Sequence, residues 1–451
     1  MFNRITLSIL ALLLIFSSTG LNARIINVPD DFETIQAGIN EAEDGDTVLV
    51  HPGTYAENTD FTGKNILVAS LLLTTGDAAY IDSTIIDGNR SGTVVTLANE
   101  ETEAAKLVGF TIRNGMVEEN GGGISIIGAS PEIRNCHIIE NSAGSRGGGI
   151  FISQECSPLF KECIIAGNLS VDCGGGVAVD DHACPRLENC LICGNMTDGF
   201  EGWYLAAENG SYPILINCTM SWQPIYGWTY AVFCSASDLI IVNSIIWGDS
   251  PLSISFAPDG NPSSITIAYS DIADGRGSID TNDNGEVNWL DGNLTDNPRY
   301  VDYYGGDYHL AEDSPCIDSG TAFFVWEDDT LLNRSGDDYQ GNAPDMGAFE
   351  SPYTHSAPDF ILHPSSFSLY PAYPNPFNAA TRISFDLPAE CFIKLHLYDI
   401  QGREAAVIAE GRMPAGRHGT TLNAENLAAG VYFVRLEAGE NVATVKIVNM
   451  R

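Results

Sequence analysis

The sequence predicts an all-β protein: a right-handed, single-stranded parallel β-helix, followed by a small C-terminal domain of strands. The predicted coil has a period of roughly 26–28 along the chain. Two observations carry the β-helix prediction. Residues of one type recur with a single period in four columns, and the segments between them show short strand signals separated by Gly, Pro and Asn. No segment within a repeat shows a sustained helical period of apolar residues, which argues against helical repeats.

In all four columns, successive members are 26 to 28 residues apart. The first consists of glycine triplets at 121–123, 147–149 and 174–176. The second is Phe110, Cys136, Cys163, Cys190, Cys218, Ser244 and Ser270. The third is Pro131, Pro158, Pro185 and Pro213. The fourth is Asn114, Asn141, Asn168 and Asn195.

A repeat with three short strands and three bends is one coil of a solenoid. Stacked coils pair strand to strand at about 4.8 Å, and parallel crossovers are almost always right-handed. Residues 46–272 then make roughly eight or nine coils. We expect the asparagine column to stack its amides at one bend and to bond backbone carbonyls of the next coil. The glycine triplets suit a bend that needs positive φ.

The 11 cysteines are an odd number, and four of them fall on the coil period. This placement favours an inward column of buried thiols over an ordered disulfide set. Disulfides between adjacent coils stay open, because the coil spacing lies near the lower limit for a bridged pair.

Residues 1–23 have the order of a secretory signal peptide: a basic start, an apolar run at 7–16, and small or polar residues up to Ala23. The run is too short to cross a bilayer core of about 30 Å comfortably, and no later segment is long enough. We therefore expect export and no transmembrane segment in the mature chain.

The formal net charge of −38 is carried by one part of the chain. Residues 366–451 contain 8 basic and 8 acidic residues, so the remainder holds 13 basic against 51 acidic residues. Such a surface repels nucleic acid, and it repels polyanionic glycans unless calcium bridges the charges. The charge change marks a domain boundary. The predicted domains are the β-helix at 24–350, a linker at 351–367 and a C-terminal domain at 368–451.

The two ends of the predicted β-helix resemble known proteins. Residues 28–40 (VPDDFETIQAGIN), 45–50 and 52–57 (PGTYAE) resemble the entry coil of pectate-lyase-like β-helix proteins. Residues 32–42 would form a helix that caps the open end through Ile35 and Ile39. Residues 314–320 (SPCIDSG) and 345–350 (DMGAFE) resemble the closing segment of bacterial surface β-helix proteins. The resemblance spans the chain from near 25 to near 350 and implies a fold rather than an activity.

Many members of the resembled family cleave or de-esterify acidic polysaccharides. Their lyases use an Arg or Lys base beside carboxylates that hold calcium, and their hydrolases use an Asp cluster with Gly-His-Gly and Arg-Ile-Lys signatures. Neither signature occurs in this sequence. The nearest catalytic candidates are Asp180, Asp181, His182 and Arg186, although an acidic pair beside a His is also common on so acidic a surface.

Residues 280–291 (DTNDNGEVNWLD) resemble the calcium loop of EF-hands and dockerins, with Gly at the sixth position. The predicted calcium ligands are Asp280, Asn282, Asn284, Glu286, Asn288 and Asp291. Position 12 is Asp where EF-hands have Glu, and no second copy follows. A polar loop before the closing segment is the alternative.

Residues 369–378 (LYPAYPNPFN), the strand at 430–433 (GVYF) and the terminal KIVNMR resemble the C-terminal sorting domain read by the type IX secretion system. The resemblance extends over the whole predicted C-terminal domain. It implies an immunoglobulin-like β-sandwich, passage across the outer membrane with the secretion machinery as partner, and release or attachment at the cell surface.

We expect a non-catalytic extracellular or surface protein that binds glycans or contributes to adhesion or envelope structure. The alternative is a calcium-assisted polysaccharide lyase or glycoside hydrolase that acts on acidic polysaccharide. Aromatic residues cluster in two coils where the glycine and asparagine columns lapse, and they would stack on sugars if exposed or fill a wider coil if buried. The candidate glycan-binding residues are Trp203, Tyr204, Trp222, Tyr226 and Trp228.

Overall fold

The computed structural model describes residues 23–199, 202–222, 230–248, 253–353, 367–369, 372, 375–378, 380–387, 391–413, 416–424, 427–439 and 441–450. The chain divides into two compact units, Met1–Thr354 and His355–Arg451, and this division falls inside the predicted linker. The first unit is the β-helix with its closing segment, and the second is the C-terminal domain.

Four parallel sheets, named A to D here, form the walls of the β-helix. Sheet A consists of Ile25–Val28, Thr47–Val50, Leu67–Ser70, Lys106–Val108, Glu132–Arg134, Leu159–Lys161, Arg186–Glu188, Ile214–Ile216, Asp238–Val242, Ser263–Ala268 and Gly285–Trp289. Sheet B consists of Gly53–Ala56, Thr84–Asp87, Thr111–Arg113, His137–Ile139, Ile164–Ala166, Leu191–Cys193, Thr219–Trp222, Ile245–Gly248 and Asp271–Ile272. Sheet C consists of Thr59–Asp60, Val95–Leu97, Ile124–Ile127, Ile150–Ser153, Val177–Val179, Leu205–Glu208, Val232–Ser235, Ile254–Phe256 and Ile279–Asp280. Sheet D consists of Met116–Val117, Ser142–Ala143, Leu169–Ser170 and Met196–Thr197.

The coils stack in register, which confirms the predicted right-handed parallel β-helix. Ile124 pairs with Ile150, and Ile150 pairs with Val177, so that these side chains form one inward stack. Sheets B and C have 9 strands each in the described part of the chain, which gives nine complete coils and agrees with the predicted eight or nine.

The cysteine column lies inside the coils, as its period predicts. Cys136, Cys163, Cys190 and Cys218 are free thiols with 1% exposure or less. Burial raises the pKa of Cys163 and Cys190 well above the ordinary value, so these thiols stay protonated at neutral pH. The column continues with Ser244, whose Oγ accepts the backbone N–H of Cys218 at 3.0 Å.

Three asparagines form a buried amide ladder at the bend after sheet B: Asn141, Asn168 and Asn195. Oδ1 of Asn168 accepts the backbone N–H of Asn141 at 3.0 Å and its side-chain amide at 3.1 Å. Nδ2 of Asn168 donates to the carbonyl of Ile138 at 2.9 Å. Asn195 repeats this pattern on Asn168, so each amide serves two coils.

The prediction that Asn114 belongs to this ladder was wrong. The spacing in sequence from Phe110 to Cys136 is one residue shorter than the spacing from Asn114 to Asn141. The coil follows the shorter spacing. Gly115 therefore occupies the ladder position, and its N–H donates to Oδ1 of Asn141 at 2.9 Å. Asn114 has a left-handed φ of 56°, and its side chain donates to Asp87 at 2.9 Å.

The entry end is capped by the helix Ile35–Glu41, which begins after the N-cap residue Thr34 and buries Ile35 and Ile39. The carboxylate of Glu57 accepts the backbone N–H of Ile35 and of Gln36, each at 2.9 Å. The first-turn N–H groups of a helix have no partner within it, and an anion is favourable there. This contact explains why the PGTYAE string accompanies the helix. The other short helices are Leu72–Thr75, Ala79–Ser83 and the 3₁₀ turn Gly275–Ser278.

The closing segment, residues 298–350, folds back onto the last coils with two antiparallel hairpins. Their strands are Tyr300–Asp302 with Asp307–Leu310, and Phe323–Trp326 with Asp329–Asn333. Oδ1 and Nδ2 of Asn243, at the bend between sheets A and B, bond the backbone N–H and C=O of Thr321, each at 2.8 Å. Asp345 accepts the N–H of Asp318 at 2.8 Å, which joins the SPCIDSG and DMGAFE strings into one cap.

A buried carboxyl lies where this cap meets the last coil. Asp271 is 0% exposed, its Oδ2 lies 3.3 Å from Sγ of Cys316, and its Oδ1 has no hydrogen-bond partner among the described residues. Burial, together with the charge of nearby Asp296, raises the pKa of Asp271 to about 7. The folded protein therefore holds a proton here that the unfolded chain releases at lower pH.

The C-terminal unit is a sandwich of two antiparallel sheets. A sheet of three strands consists of Ser368–Leu369, Ala380–Leu387 and Gly416–Asn423. A sheet of four strands consists of Glu404–Met413, Cys391–Asp399, Gly430–Ala438 and Asn441–Asn449. Phe385 from the first sheet and Leu397 and Val434 from the second share one buried core. This arrangement agrees with the predicted β-sandwich.

We expect Asn168→Ala to destabilise the β-helix by about 3 kcal/mol or more, because it leaves buried polar groups on two neighbouring coils without partners. Asn114→Ala is the matched control, since it removes one hydrogen bond outside the ladder and should cost about 1 kcal/mol. Thermal melting followed by circular dichroism measures both. Equal losses in the two variants would contradict the ladder.

We expect Asp271→Asn to change how stability depends on pH. Because the folded pKa is raised, the contribution of Asp271 to stability is present at low pH and falls as pH rises from about 4 to about 7. The Asn variant should therefore be more stable than the wild type at pH 8, by about 2–4 kcal/mol, and not at pH 4. Parallel melting-temperature curves of the two proteins across this range would contradict the buried acid.

Candidate functional site

The outer face of sheet C carries a row of small and aromatic side chains along the axis of the β-helix. Its residues pair in register: Ser125, Phe151, Ala178, Ala206, Phe233 and Ser255. Each is 8% exposed or less although it points away from the core. The glycine bends stand beside the row. A Cβ on Gly174, whose φ is 63°, would lie 2.8 Å from Cβ of Ala178, so only glycine fits there.

Arg146 lies across this row and is held by carboxylates from two later coils. Its Nη1 donates to Oδ2 of Asp180 at 3.0 Å and lies 3.1 Å from Oε2 of Glu208. Nδ2 of Asn209 donates to the other oxygen of Asp180 at 2.6 Å. The Arg146 side chain keeps 31% exposure, and those of Asp180 and Glu208 keep 19% and 16%. We call the row together with these three charged residues the sheet C face.

The structure separates the four predicted catalytic residues. Asp180 is part of the sheet C face. Asp181 and His182 lie in an exposed left-handed turn, with His182 Nδ1 3.3 Å from Oδ1 of Asp181. Arg186 points outward from sheet A, where it donates to Glu188 and to the carbonyl of Leu331. The prediction of one cluster was therefore wrong for Arg186, which holds the closing segment.

Sequence reasoning missed Arg146 and Glu208. Arg146 directly precedes a glycine triplet and is one of few basic residues in an acidic region, which was an available signal. Glu208 had no comparable signal, because it comes from a coil in which the glycine column has lapsed.

The predicted sugar-stacking aromatics have mixed positions. Tyr204 is 2% exposed, so it fills the coil and cannot stack on a sugar, which corrects its assignment. Trp203 is partly buried and packs against the core. Trp222 ends a strand of sheet B, but its side chain lies outside the described part, as do Tyr226 and Trp228 entirely.

The predicted calcium loop is split between two sheets. Asp280 ends the last strand of sheet C, and Glu286 and Asn288 lie in the extended strand Gly285–Trp289 of sheet A. That strand pairs along its whole length with Ser263–Ala268 instead of wrapping around a centre. Asp291 follows the strand, beyond its last paired residue.

The side-chain amides of the same loop have structural partners. Nδ2 of Asn282 and Nδ2 of Asn284 donate to backbone carbonyls of the preceding coil at 2.8 and 2.9 Å. Within the described residues, no group of three or more His, Cys, Asp or Glu is placed to hold a metal ion. The loop does not form the convergent oxygen set of an EF-hand, and calcium binding stays a prediction.

In the C-terminal unit, the YPNPFN string holds the last strand. Nδ2 of Asn375 donates to the carbonyl of Lys446, and its Oδ1 accepts the N–H of Val448, each at 2.8 Å. Phe377 is 1% exposed, and its backbone N–H donates to the carbonyl of Val448 at 2.9 Å. Asn375 and Phe377 therefore hold the terminal strand through backbone contacts.

Two family models match parts of the chain. Residues 47–204 match the right-handed β-helix region, and residues 371–450 match the secretion system C-terminal sorting domain. The chain is a β-helix protein with a type IX sorting domain. The sorting domain indicates export to the cell surface or the medium. No helix of the described residues is long and apolar enough to span a membrane.

Solved structures give distant similarities to the β-helix protein. A pectin methylesterase variant in complex with a hexasaccharide is 10% identical, with a TM-score of 0.31 over 57% of this chain and 80% of that one. The enzymatically active domain of tailspike protein 4 of bacteriophage CBA120 is 12% identical, with a TM-score of 0.22 over 90% of this chain and 64% of that one. No curated protein sequence matches significantly. The identification therefore rests on the two family models and the geometry.

We expect Asn375→Ala to reduce surface delivery of the β-helix protein, because it frees the terminal strand of the sorting domain from two hydrogen bonds. Fractionation of producing cells, with immunoblotting, measures the exported share. Asn378→Ala, at an exposed position of the same string, should export normally. Normal export of a chain that lacks residues 368–451 would contradict the role of the whole domain.

Proposed function

We propose that the β-helix is an extracellular glycan-binding module and that its ligand lies along the sheet C face. The observation that carries the proposal is Arg146, held between Asp180 and Glu208 over a sheltered row of small side chains. Such a set offers a guanidinium and carboxylate oxygens to the hydroxyls of a sugar. Export by the sorting domain places this face where cell-surface and environmental polysaccharides occur.

The shape of the face favours a polymer. The row continues over coils stacked at about 4.8 Å, so Phe151 and Phe233, three coils apart, are separated by about 14 Å along the axis. A long face of this kind, which continues over several coils, fits an extended chain better than a compact small molecule, which binds in concave pockets.

The contacts at the face favour binding over catalysis. Oδ1 of Asp180 accepts hydrogen bonds from Nδ2 of Asn209 and from the backbone N–H of Asp181, and Oδ2 accepts one from Arg146, so three donors fix the orientation of this carboxylate. A general base needs a free lone pair within reach of the proton that it removes. His182 is exposed in its turn and pairs only with Asp181 among the described residues. A lyase or hydrolase, and a role in adhesion or envelope structure, remain outcomes of the test.

We expect the purified chain at residues 24–451 to be retained by a subset of plant, algal or bacterial polysaccharides without producing new unsaturated or reducing ends. Arg146→Gln should weaken binding about tenfold or more, because it removes charge-assisted hydrogen bonds from the face. Arg276→Gln, an exposed arginine elsewhere, is the control and should bind like the wild type. Melting temperatures verify that the variants are folded.

The appearance of new chain ends would indicate an enzyme and contradict a purely binding role. Asp180 and His182 would then be the first residues to test for catalysis. Absence of retention on every polysaccharide would contradict the proposal. If a chelator abolished polysaccharide retention and Arg146→Gln left it unchanged, the binding site would be assigned to the predicted calcium loop at Asp280.

A further inference from the structure

A groove lies between the outer face of sheet A and the closing segment, away from the sheet C face. Its main part has a volume of about 370 Å³ and is lined by Lys161, Glu188 and Arg334. It continues into a second part of about 250 Å³, and the two parts share the lining residues Glu162, Asn189, Arg334 and Asp338. Both walls belong to the same compact unit.

The groove gathers cations in the most acidic part of the chain. Residues 24–365 contain 12 basic residues, the 13 outside the C-terminal domain less Arg4, and Lys161, Arg186 and Arg334 line this one groove. The guanidinium of Arg334 donates to the amide oxygen of Asn189 at 2.9 Å and forms no ion pair with the described carboxylates. The ammonium of Lys161 lies 3.9 Å from its nearest carboxylate oxygen, on Glu188.

The carboxylates Glu162, Glu188 and Asp338 also line the main part of the groove, and each accepts hydrogen bonds from the protein. Glu162 accepts one from Nδ2 of Asn135 at 2.8 Å. Glu188 accepts the Nε–H of Arg186 at 2.5 Å. Asp338 accepts the backbone N–H and the hydroxyl of Ser335 at 2.7 and 2.9 Å. Burial, with the charge of nearby Asp345, raises the pKa of Glu350 to about 7, so this group carries only part of a charge at neutral pH. Arg334 and Lys161 have hydrogen-bond donors beyond the contacts named above, whereas Arg186 is held by Glu188 and Leu331.

A flat ring surface lies in the second part of the groove. The rings of His309 and Phe349 stack with centroids 4.3 Å apart and an interplanar angle of 22°. The His309 side chain is 57% exposed, so the stacked pair has an open face. A sugar ring packs well on such a surface, with its polar groups directed to the neighbouring charges.

We propose that this groove is a second glycan site, in which Lys161 and Arg334 bind the carboxylate or sulfate of an acidic sugar and the His309–Phe349 pair packs against the ring. The inference rests on the proposed function in taking a glycan as the ligand, but it assigns a different face and a charged class of sugar. Local cations of this kind let a protein with a net charge of −38 hold an acidic polymer that its surface otherwise repels.

The test uses residues 24–451 and measures affinity for a polyuronate, a sulfated galactan and a neutral β-glucan, with and without a chelator. Lys161→Gln and Arg334→Gln should each weaken binding of an acidic polymer about tenfold, because each removes a charge-assisted contact. His309→Ala should weaken it less. Lys106→Gln, on the same outer face of sheet A and paired with Glu132, is the matched control and should change nothing. Neutral glucan binding should be unchanged in all four.

Competition by free uronic acid or by a sulfated monosaccharide distinguishes the two sources of the anion. Acidic binding that survives both Lys161→Gln and Arg334→Gln, or that requires calcium, would overturn the groove as the site. Binding of neutral glucan alone would overturn this inference and leave the proposed function standing. Binding of no polymer would reject both. Loss of acidic binding in Arg146→Gln, without loss in the groove variants, would assign the acidic sugar to the sheet C face.

Discussion

The in-register stacking of coils is the constraint on which the rest of this structure depends. Each strand residue bonds the equivalent residue of the next coil, so its backbone conformation and the direction of its side chain are set by neighbours on both sides. One amide, that of Asn168, satisfies donors and an acceptor on two adjacent coils at once. Positions of this kind tend to repeat in the sequence, because loss of the amide inside the ladder leaves buried polar groups unpaired.

The two ends follow from the same constraint. Stacking leaves unpaired groups on the first and last coils, and each end is covered by a segment that does not repeat. At the entry, the carboxylate of Glu57 fixes the N-terminus of the capping helix. At the exit, Asn243, a residue of a coil bend, bonds the closing segment in addition to Asn217 of the preceding coil. Because the closing segment is free of the coil pattern, it can carry Arg334 and the His309–Phe349 ring pair beside the wall.

The sequence was sufficient to predict what repeats and insufficient for what does not. The β-helix, the cysteine column and three ladder asparagines were predicted because periodicity reports stacking directly. Asn114 was misplaced because one coil is shorter by a residue, and a one-residue shift changes which side chain points inward.

The charged sites escaped prediction for a related reason. Arg146 and Glu208 belong to different coils and meet because their side chains are long enough to span the distance. The spacing of residues in the sequence does not indicate such a contact. Arg186 was grouped with Asp180 because the two are near neighbours in the chain, but the turn at Asp181 and His182 lies between them and places them on different walls. Proximity in sequence within a coil therefore predicts little about proximity on its surface.

Two proposed sites on different walls of one rod have a consequence for how a polymer would be held. The sheet C face runs along the axis, whereas the groove lies under the closing segment against sheet A, so one straight segment of polymer cannot occupy both. The stacked hydrogen bonds make the separation of the sites fixed, and a second contact to the same or a neighbouring polymer then gains from a high effective concentration. Weak contacts at each site would add up to firm retention without a deep pocket. An acidic protein with few cations could attach to a polysaccharide layer in this way, because its few cations lie at separate points on a rigid support.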